Sequence, residues 1–178
     1  MPMLQSHLII LFIVSLIVFF AAPTTAGPEK VSLPPGYKSQ VLYTTVERPD
    51  TKQVRDIYTS PDAVKAAKAG QPLPSGTVIT MEVYRAKVNE KGEPLKNDKG
   101  RFLKGEIFGI FVMEKRTGWG TEYSNDLRNG EWEYARFTPE GKPHQPADTK
   151  PCFECHKPYS NQDFVITQSE LAGAPASR

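Results

Sequence analysis

The sequence predicts an α+β fold that is mainly an antiparallel β-sheet, with one or two short helices and a C-terminal segment carrying both cysteines. Three observations predict it. The 178 residues include 16 prolines and 13 glycines, which favour short strands and turns over a helical bundle. About five stretches are rich in β-forming residues, and the connections between most of them are short. We therefore expect neighbouring strands to pair antiparallel.

The N-terminus is predicted to be a targeting segment rather than part of this fold. Residues 8–22 are apolar except for Ser15, and a membrane span needs about 20 residues. The stretch fits the apolar part of a secretory signal, residues 1–26, cleaved after Ala26. No Lys or Arg precedes it, so an uncleaved N-terminal anchor is the alternative. Either way we expect an exported, periplasmic protein whose single domain spans residues 27–178, with a core over 33–167.

The first elements are two strands and a helix. Residues 40–47 and 53–59 are rich in β-forming residues and are each predicted to be a strand. The helix is predicted over residues 60–70, where Ser60 can cap the free amides and Pro61 suits the first helical position.

Three further strands are predicted. In residues 77–88 the more apolar face should lie inside. That face carries Ile79, Met81 and Val83. Residues 106–115 are nearly all apolar, which indicates a strand covered on both faces. Residues 131–138 alternate as a last strand. The proline-rich residues 139–151 show no periodicity, so the cysteines that follow are expected in an irregular segment.

The charge pattern excludes one class of partner. The formal net charge is +2, and acidic and basic residues are mixed along the chain. Such a surface is typical of a solvated protein rather than of a nucleic-acid binder.

The strongest motif is Cys152-Phe153-Glu154-Cys155-His156, which holds the two cysteines of the chain. A redox disulfide would place the pair at the start of a helix, which Pro151 and Pro158 disfavour. A zinc site needs four ligands, and His144 completes no standard spacing.

Covalent heme attachment fits the same motif best. Two thiols at this spacing can add to the two vinyl groups of a heme, and the following histidine can bind the iron. We therefore predict one heme c per chain, with Cys152 and Cys155 as thioether anchors and His156 as the proximal iron ligand.

The chain also resembles a known family over residues 33–167. The stretches that carry the resemblance are LPPGYKSQVLYTTVERPD, VRDIYTSPDAVKAAKAGQPLPSGTVITMEVY, KGEIFGIFVMEKRTGWG, NGEWEYARF and CFECHKPYSNQDFVIT. These are similar to cytochrome P-460 and the cytochromes c′-beta. The resemblance implies a β-sheet domain with a c-type heme bound by histidine on one side and open on the other.

The resemblance bears on function through two positions. Characterised enzymes of this family oxidise hydroxylamine and nitric oxide with a lysine bonded to the porphyrin edge, where this chain has Met81. They also carry a distal carboxylate, where this chain has Phe111. An apolar distal wall resembles the cytochrome c′-beta branch and suits small uncharged diatomic ligands. The resemblance thus implies binding of nitric oxide or a similar ligand, or single-electron transfer; the alternative is an enzyme that oxidises hydroxylamine or nitric oxide.

The remaining side chains leave alternatives open. Met81 is interpreted as core filler, as an apolar cap over the distal side or as a sixth iron ligand. His144 is expected in solvent, and Met113 in the core on a face shared with Ile107 and Phe111. Three residues are secondary candidates: Arg85 and Arg136 as partners of the heme propionates, and Glu106 as an acid/base group. Glu82 is expected to face away from Met81. Aromatic residues expected in the core or against the heme are Trp119, Trp132, Tyr134 and Phe137.

Two kinds of protein partner are expected. A redox partner protein follows from the electron-transfer alternative. A homodimer follows from the resemblance, since relatives of this kind are often dimers.

Overall fold

The computed structural model describes residues 30–146 and 148–175. The predicted signal, residues 1–26 with the apolar stretch 8–22, lies outside the described residues. Within the described ranges, no helix is both long enough and apolar enough to cross a membrane.

The described chain forms one five-stranded antiparallel sheet in which each strand pairs with the next in sequence. The strands are β1 (Val41–Arg48), β2 (Gln53–Thr59), β3 (Val78–Ala86), β4 (Lys104–Lys115) and β5 (Trp132–Phe137). The predicted α+β class is confirmed. The predicted strand ends agree with the structure to within two residues.

Helix α1 (Pro61–Lys68) links β2 to β3 and begins as predicted. The Ser60 hydroxyl accepts a hydrogen bond from the Ala63 amide at 3.2 Å, and Pro61 occupies the first turn. The helix buries Ala63, Val64 and Ala67 against the sheet core.

The C-terminal region corrects the prediction of an irregular segment. It contains α2 (Lys150–His156), a 3₁₀ stretch (Lys157–Gln162) and α3 (Gln168–Ala172). Pro151 lies in the first turn of α2, where the missing N–H would have had no helical partner in any case. Pro158 follows the point where the α-helix gives way to the 3₁₀ stretch. The two prolines thus bound a short helix instead of preventing one.

The two faces of the sheet are covered differently. The cavity face carries Ile57, Ile79, Met81, Phe111, Met113, Trp132, Tyr134 and Arg136, and side chains of α1, α2 and α3 pack over part of it. The closed face carries Tyr58, Glu82, Ile110, Val112, Ala135 and Phe137. The chain before β1, including Val31, Leu33 and Tyr37, covers the closed face.

A β-bulge in β4 changes which side chains reach the cavity face. Val83 pairs with Gly109, but the next residue of β3 pairs with Ile107, so the register slips at Phe108. Ile107 therefore packs with the closed face, and the prediction that it shares a face with Met113 is wrong. Phe108 turns toward the cavity and is 39% exposed, so β4 is covered on both faces in its second half alone.

Candidate functional site

A cavity of about 440 Å³ lies between the cavity face and the C-terminal segment. One wall is built by strands β1 to β5, and the other by α2 and residues 165–167. Cofactor and ligand sites in proteins typically measure about 300–1,000 Å³ and are mostly apolar with a few polar groups. This cavity has that size and character.

The three motif residues share one face of α2. Cys152, Cys155 and His156 are spaced three and four residues apart, which places them on one side of the helix, and all three line the cavity. The two cysteines form no disulfide with each other; Cys152 is half-buried and Cys155 is exposed. Burial raises the pKa of the Cys152 thiol to about 11. The two sulfurs and the imidazole therefore reach the same space.

The imidazole of His156 is oriented by a backbone hydrogen bond. Its Nδ1 lies 2.7 Å from the carbonyl oxygen of Phe164. Because a carbonyl can only accept, Nδ1 carries the proton and donates it. Burial lowers the pKa of His156, against a smaller opposing effect of this hydrogen bond, so the ring is neutral. The unprotonated Nε2 is then free to bind a metal, the arrangement that metal-binding histidines use.

The Phe164 carbonyl is held by a strained turn. Asp163 and Phe164 have φ values of 52° and 60°, in the left-handed region that residues other than glycine rarely adopt. The Asp163 carboxylate accepts hydrogen bonds from Lys115 Nζ at 2.8 and 3.0 Å and from the Leu73 amide at 3.0 Å. Trp132 Nε1 lies 3.4 Å from the same carboxylate. These contacts stabilise the turn that orients His156.

A second set of contacts fixes α2 on the sheet. Asn129 is fully buried, and its Nδ2 donates to the Tyr134 hydroxyl at 2.9 Å and to the Phe153 carbonyl at 3.0 Å. The Tyr134 ring packs against Phe153 at 4.7 Å and against His156 at 5.0 Å between ring centroids. Tyr134 is thus a core residue that also lines the cavity. The sequence predicted one of these two positions, in the core or against the heme.

The sheet wall brings Met81 and Phe111 together. They are direct partners in the pairing of β3 with β4, and Phe111 is in turn the partner of Arg136 on β5. All three line the cavity across from α2, the helix that carries His156. The five residues predicted for the site therefore lie around one cavity, although the sequence separates Met81 from His156 by 75 positions.

The two arginines considered as propionate partners have different positions. Arg136 lines the cavity, and its guanidinium lies 5.2 Å from the centroid of the Phe111 ring. Arg85 is exposed, does not line the cavity and stacks on Phe108 at 4.9 Å.

The cavity has a polar end beside the β1–β2 turn that the sequence did not predict. Arg48, Gln53 and Arg55 line this end. Arg55 donates to Gln53 Oε1 at 2.8 Å, and burial lowers the pKa of its guanidinium. Arg48 pairs with Asp50 at 2.6 Å, whereas Arg55 has no ion pair within the described ranges. The signal was present: Arg55 interrupts the strand face that Ile57 continues.

The other titratable candidates lie elsewhere. His144 is half-buried rather than fully in solvent and is not part of the cavity lining. Glu106 is exposed, and Glu82 lies on the closed face, which confirms that it points away from Met81. Residues 30–146 and 148–175 contain no group of three or more His, Cys, Asp or Glu side chains that could hold a metal ion.

These features fit a heme. The cavity offers two thiols and an oriented imidazole on one wall, apolar side chains on the other and cationic groups at its polar end. No curated protein matches the chain. The family model described as Cytochrome P460 matches residues 34–167, which is most of the chain. The chain therefore belongs to the cytochrome P460 family and is a heme cytochrome.

Proposed function

We propose that this protein is an exported c-type cytochrome that carries one heme and binds a small ligand such as nitric oxide. Export is supported by the apolar residues 8–22 and the small residues that follow them. Ligand binding is supported by the arrangement of the cavity, whose two walls carry different chemistry.

The observation that carries the proposal is the geometry of His156. Its Nδ1 is committed to the Phe164 carbonyl at 2.7 Å, which leaves Nε2 for the iron, and the two thiols lie on the same side of α2. Cys152 and Cys155 would hold the vinyl edge of the heme. Arg55, with Arg48 and Gln53, would hold the propionates, since these are the ionised groups of the heme and need cationic partners. The bound heme would supply a redox-active iron.

The sheet wall supports ligand binding over internal ligation. Phe111 and Val83 offer no donor atom for iron. The wall carries two thioethers, and that of Met113 belongs to a core residue that is 6% exposed, so Met81 is the candidate ligand. We interpret Met81 as an apolar wall residue, because it is half-buried and packs beside Ile57 and Phe111. The iron would then keep one position open.

Two observations bear on the alternatives. Cys155 is exposed, so one edge of the attached heme would lie near the surface, and this favours single-electron exchange with a redox partner protein as a second function. Met81 has no amine with which to form the porphyrin bond of the hydroxylamine-oxidising enzymes. We therefore expect no turnover of hydroxylamine.

The test is heme content and spectrum. The purified mature protein should give a pyridine hemochrome signal for one c-type heme per chain, and mass spectrometry should find the heme mass on the peptide that contains Cys152 and Cys155. The ferrous spectrum should be high-spin and should change on addition of nitric oxide. The double variant Cys152→Ala, Cys155→Ala should lose the covalent heme. A wild-type peptide without heme mass would refute the proposal.

A further inference from the structure

Arg136 is a charged side chain on a strand face that is otherwise buried and aromatic. Its neighbours on the same face of β5 are Trp132 and Tyr134, which are 0% and 3% exposed. Arg136 occupies the next position along this face and lines the cavity. Arg136 is half-buried there, and a cation that is partly removed from water is stabilised by a partner.

The described residues do not supply that partner. No ion pair or side-chain hydrogen bond of Arg136 is found within residues 30–146 and 148–175, and its Nε is buried without a hydrogen-bond acceptor. The guanidinium stacks on Phe111 at 5.2 Å. Stacking uses the face of the guanidinium and leaves its N–H groups, which point outward in the plane, able to donate.

The carboxylate that lines the cavity, Asp148, forms no ion pair with Arg136 within the described residues. Asp148 lines the cavity, but it is exposed, and its carboxylate accepts a hydrogen bond from the Lys150 amide at 3.2 Å. Arg55 lies at the polar end beside the β1–β2 turn and has no ion pair within the described residues, so a propionate would find a cationic partner there without Arg136. Arg136 is therefore available to a different anion.

We propose that Arg136 makes the sheet wall of the cavity a binding site for a small anion, of the size and charge of nitrite or azide. The inference rests on the proposed function and deepens it by naming the ligand class. Arg136 pairs with Phe111 across β4 and β5, and Phe111 pairs with Met81 across β3 and β4. Met81 and Phe111 limit the size of the ligand, and the guanidinium of Arg136 supplies a positive charge and a hydrogen-bond donor. The sheet wall is therefore partly cationic, whereas the sequence predicted an apolar wall suited to uncharged diatomic ligands.

The test compares charged and uncharged ligands in the heme-loaded protein. Dissociation constants for nitrite and azide would be measured by absorption titration of the ferric protein, and the constant for carbon monoxide on the ferrous protein. Arg136→Gln should weaken binding of both anions about tenfold or more, the range expected for a lost hydrogen bond to a charged group. Its affinity for carbon monoxide should stay within about twofold of wild type, since that ligand carries no charge.

The matched control is Arg85→Gln. Arg85 lies on the cavity-face side of β3 and also stacks on a phenylalanine, but it is exposed and outside the cavity. Arg85→Gln should leave all three constants within about twofold, because Arg85 is exposed and solvent and salt screen its charge. Equal losses of anion affinity in both arginine variants would overturn the proposal.

Further outcomes separate this inference from the function on which it rests. If Arg136→Gln keeps its heme and its anion affinity, the inference fails while the proposed function stands. If Arg136→Gln loses heme instead, Arg136 holds a propionate and the inference fails. If Arg136→Gln does not fold, Arg136→Lys replaces it in the test, because lysine keeps the positive charge but lacks the planar guanidinium. The Arg136→Lys protein should bind nitrite several-fold more weakly than wild type, and an unchanged affinity would overturn the proposal. A wild-type protein without heme would overturn both proposals.

Discussion

The two faces of the sheet use the same strands for opposite purposes, and adjacent residues of β3 show the contrast. Met81 lines the cavity, whereas Glu82 on the closed face is 1% exposed. The Glu82 carboxylate lies 2.7 Å from the Tyr37 hydroxyl and from Lys38 Nζ, and 2.8 Å from the Tyr84 hydroxyl. On the cavity face the Arg136 Nε has no acceptor among residues 30–146 and 148–175. The closed face satisfies its buried charge internally, and the cavity face keeps a donor for a ligand.

The closed face holds a second buried carboxylate beside the first. Asp56 on β2 is the direct partner of Glu82 on β3 and is 4% exposed. Like charges placed opposite each other destabilise a sheet. Each has its own lysine: Lys104 pairs with Asp56 and Lys38 with Glu82. Stability of this face therefore depends on complete neutralisation, and this gives a way to separate the two faces by experiment.

The largest effect should come from Glu82→Ala. It leaves the hydroxyls of Tyr37 and Tyr84, and that of Tyr58 at 3.2 Å, without their shared acceptor. We expect a loss of about 3–5 kcal/mol in the free energy of unfolding, the range for breaking a buried charged network. Urea unfolding measures it, and the spectrum of the folded heme-loaded protein should not change.

The control for that variant is Glu140→Ala, which removes an exposed carboxylate close to the same face. It should alter the unfolding free energy by no more than about 0.5 kcal/mol. A Glu82→Ala protein as stable as wild type, or one with an altered heme spectrum, would contradict the proposal that the closed face stabilises the fold and the cavity face binds the heme.

Asp163→Asn should give a smaller loss and should also reach the heme. The carboxylate bonds Lys115, whose side chain is 11% exposed, and the Leu73 amide. Hydrogen bonds to charged groups contribute about 1.5–3 kcal/mol each, so we expect a loss of about 2 kcal/mol. The turn that positions the Phe164 carbonyl should relax, and the weaker hydrogen bond to His156 should raise the midpoint potential.

Urea unfolding and a redox titration measure the two effects of Asp163→Asn. Glu154→Gln is the matched control, because Glu154 lies on α2 between the two cysteines but is 59% exposed and pairs with Lys150 at 3.6 Å. It should leave both quantities near wild type. A potential unchanged by Asp163→Asn would show that the turn is structural and does not tune the imidazole.

Acid should remove the contribution that the Glu82 charge makes to the stability of the closed face. Burial by itself would raise the pKa of Glu82, but hydrogen bonds from Lys38, Tyr37 and Tyr84 outweigh it and hold the pKa below its ordinary value of 4.5. A carboxyl whose pKa is lower in the folded state stabilises the protein above pH 4.5 and loses that contribution as the pH falls through the folded pKa.

Thermal unfolding of wild type and Glu82→Gln across this acid range measures the contribution. The stability difference between wild type and Glu82→Gln should shrink as the pH falls. At neutral pH it should be smaller than the loss in Glu82→Ala, because glutamine still fills the site of Glu82. A difference that does not depend on pH would mean that the Glu82 charge contributes no net stability.

Local sequence patterns predicted most of the sheet but little of the C-terminal region. The strand at residues 53–59 has the predicted bounds because richness in β-forming residues is a local property of the sequence. Helix α2 was missed because Pro151 was interpreted as a break, although proline is compatible with a first helical turn. Helix α3 spans Gln168–Ala172, which is too short for a helical period to show.

The sequence predicts candidate heme-attachment residues but not the surroundings of the site. Cys152, Cys155 and His156 lie within five residues, so their spacing indicates heme attachment without reference to a fold. The approach of the Phe164 carbonyl to His156 and the pairing of Arg136 with Phe111 depend on which backbones lie next to each other, and the inward turn of Phe108 depends on a bulge. Such contacts are tertiary, and no periodicity encodes them.

The smallest effect should come from Met81→Ala, and it decides how the cavity face is used. Met81 is half-buried, so its truncation enlarges an existing cavity and should cost about 1 kcal/mol or less. Met113→Ala is the matched control on the same face: Met113 is 6% exposed in the core, and its loss should cost about 2–5 kcal/mol. Because we interpret Met81 as a wall residue, the ferrous spectrum should stay high-spin in the Met81→Ala protein. A low-spin wild-type spectrum that becomes high-spin in this variant would instead make Met81 the sixth ligand, and the cavity face would then serve electron transfer rather than ligand binding.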